Sequence, residues 1–151
     1  MSYKETSFQT EVLHSLNELE GMMHYFKIPD DSLGYKPYDA YLVHNGKFYA
    51  FEYKVSRLKT KLNFKAMFSN REHQITAMER VEKSGGESFC IIAVAYKQSN
   101  GRYHYSGYML PYYFLKPLYE KGTCTFEEVE DYKIERFKKD YRYIWDIFRY
   151  L

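Results

Sequence analysis

Apolar residues at Phe8, Val12, Leu16 and Leu19 recur every three or four positions, which predicts an amphipathic helix opened by Thr6 or Ser7 and closed near Gly21. MMHYFKI has the length and aromatic content of a strand, and the Pro29, Asp30, Asp31, Gly34 and Pro37 cluster behind it reads as a loop. PYDAYLVH and KFYAFEYKV then form a hairpin about Asn45-Gly46, because both residues tolerate the positive φ of a type I′ turn. Ser69 with Glu72 three positions later resembles a capping box, so His73 to Lys83 is expected to be a helix stopped by Gly85-Gly86. SFCIIAVAY is continuously apolar, the pattern of a strand covered on both faces, and RYHYSGYML is its partly exposed neighbour across the Ser99-Asn100-Gly101 turn. Pro111 is placed to open a short helix. From Ile134 onward, Phe137, Tyr141, Ile144 or Trp145, Phe148 and Leu151 fall on one helical face, which predicts a terminal helix packed on the core or on a second subunit. The resulting order, αβββαββα, belongs to the α/β class: a mixed sheet flanked by helices.

A chain of 151 residues suits one domain, residues 1–151, with enough length to bury a core. Its 28% charged and 45% hydrophobic residues exclude a disordered chain. FCIIAVAY falls far short of the roughly 20 apolar residues that a bilayer span needs, and MSYKETSFQTE has no signal-peptide core, so a cytoplasmic protein without a membrane partner is expected. Cys90 and Cys124 lack zinc-ligand spacing and read as reduced thiols. The net charge of +2 is uninformative, but its distribution is not. Between Val55 and Arg71 stand five bases, Arg57, Lys59, Lys61, Lys65 and Arg71, with no acid among them. Such a run is suited to phosphate contacts. His73 and Gln74 follow at a helix start, where free amides also meet anions.

The Asn-Gly turn makes the hairpin's register calculable. If His44 faces Lys47, then Asp39 faces Glu52 at a non-hydrogen-bonded position, with Cβ atoms roughly 4.5–5.5 Å apart on one side of the sheet. At an effective dielectric near 20, two such carboxylates repel by on the order of 3 kcal/mol, so the pair takes up a proton or a cation. Their oxygens suit a hard divalent ion, Mg²⁺ or Mn²⁺. Lys54 is two residues beyond Glu52, and strand alternation returns it to the same face. Glu11, in the first helix, is a candidate for a further metal ligand or for a partner of a metal-bound water. FEYKV is apolar around its two charges, so Glu52 and Lys54 point inward and need partners. The remaining histidines show no ligand spacing, and the eighteen tyrosines are read mainly as strand packing.

Pro37-Tyr38-Asp39 followed by Glu52-Tyr53-Lys54 resembles the PD-(D/E)XK nuclease superfamily, whose pattern is an acid on one strand, then an acid, any residue and Lys on the next. From about Tyr38 to Val94 the chain is similar to the RecU-type Holliday junction resolvases. The likeness rests on Asp39, on Glu52 with Lys54, on Lys59-Thr60-Lys61, on His73-Gln74, and on Gly85-Gly86 before FCIIAV. Archaeal and phage resolvases of that superfamily begin with a helix bearing an acid, which Glu11 matches. The resemblance implies a restriction-endonuclease-like fold and a homodimer that nicks branched DNA in pairs with Mg²⁺ or Mn²⁺, in a bacterial cell or a phage-infected host. Tyr25 to Lys36 is shorter than the stalk that RecU-type enzymes insert into a junction. Two other readings remain open: a nuclease acting on linear DNA in restriction or repair, and a DNA-binding or inhibitory module that keeps the fold without the chemistry.

Overall fold

A computed structural model describes residues 3–29 and 36–151, so positions 30–35 of the expected Pro29 to Pro37 loop lie outside the described residues. Helix α1 (Glu5–Leu16) precedes three strands, β1 (Met23–Lys27), β2 (Ala40–His44) and β3 (Lys47–Ser56). A short strand β4 (Leu62–Asn63) and a single turn α2 (Phe64–Met67) lead to α3 (Glu72–Lys83). Then come β5 (Glu87–Lys97), β6 (Tyr103–Pro111), α4 (Tyr112–Lys121) and β7 (Thr123–Cys124). A 3₁₀ helix (Glu127–Tyr132), β8 (Lys133–Ile134), β9 (Arg136–Lys139), β10 (Arg142–Trp145) and a last 3₁₀ turn (Ile147–Tyr150) complete the chain.

Six strands form one mixed sheet in the order β1-β2-β3-β5-β6-β8. The β3–β5 pair is parallel, bridged by α3 as crossover, and the other pairs are antiparallel. Asn45 and Gly46 have φ of 51° and 79°, and the expected register holds from His44↔Lys47 to Ala40↔Phe51. The continuous apolar run of β5 is explained by its central place, since alternate residues enter opposite cores. Phe89, Ile91, Ala93 and Ala95 join Phe8, Val12, Leu16, Phe51 and Tyr53 beneath α1. Cys90, Ile92 and Val94 join Ile75, Met78, Leu110 and Leu115 beneath α3 and α4.

Both helix caps differ from expectation. Helix α1 starts at Glu5 behind Lys4, whose side chain makes no capping bond, so Thr6 and Ser7 lie within the first turn, and the helix ends at Leu16 with Leu19 packing from the following coil. Helix α3 starts after Arg71 and Ser69 does not cap it, because Asn70 turns the chain at φ 58° in between. Its end is as expected, with Gly85 at φ 94°.

The expected helix from about 134 is instead a β9–β10 hairpin with Lys139 facing Arg142, followed by the 3₁₀ turn. Asp140 and Tyr141 reverse the chain at φ 49° and 69°, a two-residue turn built without the glycine or asparagine that normally signals it. The reversal is held by tertiary packing. Trp145 is fully buried, 5.4 Å from the Phe8 ring and against Gly107, where a Cβ would lie 2.6 Å from the indole. The segment thus packs on its own core.

Candidate active site

Strand β3 outlasts β2: their pairing ends at Ala40↔Phe51, leaving the Tyr53 N–H without a strand partner on that side. Asp39 fills the gap, with Oδ2 accepting the Tyr53 N–H at 2.8 Å. Its own amide donates to the Phe51 carbonyl at 3.0 Å, and its carbonyl accepts from Ile28 at 2.8 Å. The plain non-hydrogen-bonded position expected for Asp39 is therefore corrected: its main chain is clamped just past the end of the ladder. The two acids still act on each other, because the negative charge of Asp39 raises the Glu52 carboxyl.

Glu52 and Lys54 share the α3 side of β3, opposite Cys90 and Ile92 of β5. Asp39 and Glu52 are 2% and 1% exposed, so neither is a solvated surface acid. Lys36 pairs with Asp39 Oδ1 at 3.0 Å, and Lys54 with Glu52 Oε1 at 3.3 Å. Glu52 Oε2 is buried and has no hydrogen-bond partner among the described residues. Burial, and then the negative charge of Asp39, push the Glu52 carboxyl well above the usual carboxylate range, while Lys54 opposes them. The Lys54 ammonium also donates to Gln74 Oε1 at 3.0 Å and rests 4.6 Å from the centre of the Phe68 ring.

The structure thus brings together Asp39, Glu52, Lys54 and Gln74, and it separates Glu11 from them. Glu11 forms a two-bond ion pair with Arg136, each bond 2.9 Å, and its Oε1 also accepts from Tyr3 Oη (2.7 Å) and Trp145 Nε1 (3.0 Å). Its candidacy as a metal ligand is therefore corrected. Glu5 is the helix acid that senses the site: partial desolvation and Asp39 raise its carboxyl, against Lys54 and Lys36. Six residues of helix turn Glu11 by about 600° from Glu5, onto another face. Glu5, Lys36 and Phe68 are contributors that sequence reasoning missed. For Lys36 a signal existed in its i, i+3 spacing to Asp39. Among the described residues, no three His, Cys, Asp or Glu side chains gather as a metal cluster, so the site offers a pair of acids.

The basic stretch is anchored rather than a free loop. Leu62, Phe64 and Phe68 are buried, and β4 pairs with β7. Lys61, Lys65 and Arg71 are exposed. Lys59 lies 5.7 Å from the Tyr96 ring centre, and the Arg57 guanidinium donates to the Tyr3 carbonyl. His73 is half-buried in the first turn of α3 beside Gln74. An acid pair with an unpartnered buried oxygen, a lysine pinned beside it and exposed cations on the adjoining segment can together hold a hard cation against a phosphodiester.

Residues 38–147 match the family described as Recombination protein U. Among solved structures, the Holliday junction resolvase Hjc of Archaeoglobus fulgidus is similar at 13% identity and a TM-score of 0.45, over 83% of this chain and 87% of that one. No curated protein is recognisably similar to it.

Proposed function

Because this chain belongs to the Recombination protein U family, the one that its hairpin acid and Glu52-Tyr53-Lys54 resemble, we propose that it is a metal-dependent DNA endonuclease that resolves four-way junctions. The observation that carries this reading is Glu52, 1% exposed, with Oε2 unpartnered beside a second buried carboxylate. Buried polar atoms are almost always satisfied, and a divalent cation between the two acids would satisfy this one and cancel their repulsion.

Asp39 and Glu52 would hold Mg²⁺ or Mn²⁺. When bound, the ion supplies charge opposite the scissile phosphate and lowers the pKa of a water. Asp39 keeps its orientation through the Tyr53 N–H on one oxygen and Lys36 on the other, and the ion would share that second oxygen with Lys36 or displace it. Lys54 sets a positive charge where the phosphate's negative charge grows, and Gln74 fixes the direction of that ammonium. Arg57, Lys59, Lys61, Lys65 and Arg71, with His73, bind backbone phosphates on either side of the cut. A homodimer places two such centres on two strands of one junction, in the cytoplasm of a bacterial cell or an infected host. Consistent with that setting, no helix among the described residues is long and apolar enough to cross a membrane.

The test is a labelled four-way junction, compared with its component duplexes, incubated with wild type and Glu52→Gln with and without Mg²⁺. Wild type with metal should nick the junction in preference to the duplexes, and Glu52→Gln should bind without cutting. Preferential cutting of the linear duplexes would reassign the substrate. Failure to cut branched, duplex or single-stranded DNA with Mg²⁺ or Mn²⁺ would overturn the reading.

A further inference from the structure

The β9–β10 hairpin carries features that the fold does not explain. Tyr141 at its tip is 95% exposed and stands at φ 69°, a conformation that costs a side chain with a Cβ and is ordinarily given to glycine. Among the described residues its ring makes no aromatic or hydrogen-bond contact. Lys138 and Arg142, beside the tip, are exposed and make no ion pair among the described residues.

The base of the hairpin, by contrast, is held firmly. Arg136 is paired with Glu11 and lies 3.7 Å and 4.1 Å from the ring centres of Tyr143 and Tyr105. Lys139 pairs with Glu18, just beyond the end of α1, and the Trp145 main-chain N–H donates to Ser15 Oγ at 2.8 Å. An exposed aromatic ring therefore sits on a firmly held hairpin whose tip also carries Asp140, with Lys138 and Arg142 on its two faces. Tyr141 and Arg142 also line a groove of about 440 Å³ with Thr6, Ser7 and Thr10, the helix turns next to Glu5. The tip thus lies against the first turns of α1.

We propose that this hairpin is a second DNA-binding element, in which Tyr141 stacks on a base exposed at a branch point while Lys138 and Arg142 hold the adjoining phosphates. Stacking on an aromatic ring needs a base whose face is free, so Tyr141 favours branched or single-stranded DNA over an intact duplex. Lys138 and Arg142 contact the backbone of either form. The inference rests on the reading that the substrate is DNA, and it adds where branch recognition is read.

A four-way junction with 2-aminopurine at the branch point tests it, titrated with wild type, Tyr141→Gly, Tyr141→Trp and the Lys138→Ala/Arg142→Ala double variant. Glycine suits the turn, so Tyr141→Gly keeps the fold. Wild type should change the branch-point fluorescence. Tyr141→Gly should lose that change and about 10-fold in junction affinity, within the range for one base on an aromatic ring, and Tyr141→Trp should retain both. The double variant should weaken junction and duplex binding alike and reduce the salt slope by about two. A Tyr141→Gly protein with wild-type junction affinity and fluorescence would overturn the proposal while leaving nuclease activity standing. A wild type that binds and perturbs the branch point but never cuts would sink the nuclease reading and leave this one intact. A wild type that binds no DNA would end both.

Discussion

The carboxylate of Asp39 accepts the main-chain N–H of Tyr53 at 2.8 Å, which ties the acid just before β2 to the middle residue of Glu52-Tyr53-Lys54. The pattern of acid, then acid-x-Lys, is thus a single bonded unit. Asp39 both contributes charge to the site and closes the β3 backbone where β2 stops.

Those two roles separate by substitution. Asp39→Asn retains an oxygen for the Tyr53 N–H and is expected to melt near wild type while losing at least about 100-fold in cleavage rate. Asp39→Ala leaves that buried N–H unsatisfied, an additional cost of about 1–3 kcal/mol. Calorimetry of both variants, with a nicking assay alongside, checks the split.

Glu52 makes the metal-free protein sensitive to pH. Its folded carboxyl titrates above the ordinary carboxylate range, so between an unfolded pKa of about 4.3 and the raised folded value the native state binds more protons than the unfolded one. Stability should therefore fall as pH rises through that window. Glu52→Gln is expected to remove this dependence and to raise the neutral-pH melting temperature by a few degrees, at roughly 2–4 °C per kcal/mol for a chain of this size. Melting curves in chelator across pH 4 to 8 provide the measurement, and an unchanged slope in the variant would refute the assignment.

Gln74 acts through Lys54, as a positioning residue. Gln74→Leu removes one bond to the ammonium and leaves the Glu52 pair in place. We expect about a 10-fold lower kcat with KM for DNA little changed, whereas Lys54→Met should cost on the order of 100-fold or more. Equal losses in kcat and in DNA affinity for Gln74→Leu would show that it grips the substrate instead.

Glu5, rather than the expected Glu11, should influence metal binding. Glu11→Gln strips Arg136 of its carboxylate in a half-buried setting and should destabilise by about 2–4 kcal/mol without moving the Mg²⁺ midpoint for cleavage. Glu5→Gln should leave the melting temperature nearly unchanged and shift that midpoint. Metal titrations of the two variants decide between them.

Local chemistry was enough to place the hairpin. Asn45-Gly46 sets the turn, period-two alternation sets the faces, and together they put Asp39 against Glu52 with Lys54 alongside. The continuous apolar run at Phe89 to Tyr96 marked the central strand for the same reason, since burial on both faces leaves no polar alternation. Long-range contacts decided the rest. The segment after Ile134 satisfies helical spacing on paper, but Trp145 gains a place against Phe8 and Gly107 only if the chain reverses at Asp140-Tyr141, a turn whose residues do not signal it. Glu11 and Glu5 are both acids on one helix, and the partner that separates them, Arg136, lies 125 positions from Glu11. Sequence alone determined the hairpin and the shared face of Glu52 and Lys54, because turn type and strand period act between neighbours. That Glu11 is held by Arg136 away from the pair, and that the chain ends in a hairpin, were decided by packing between segments far apart in the chain.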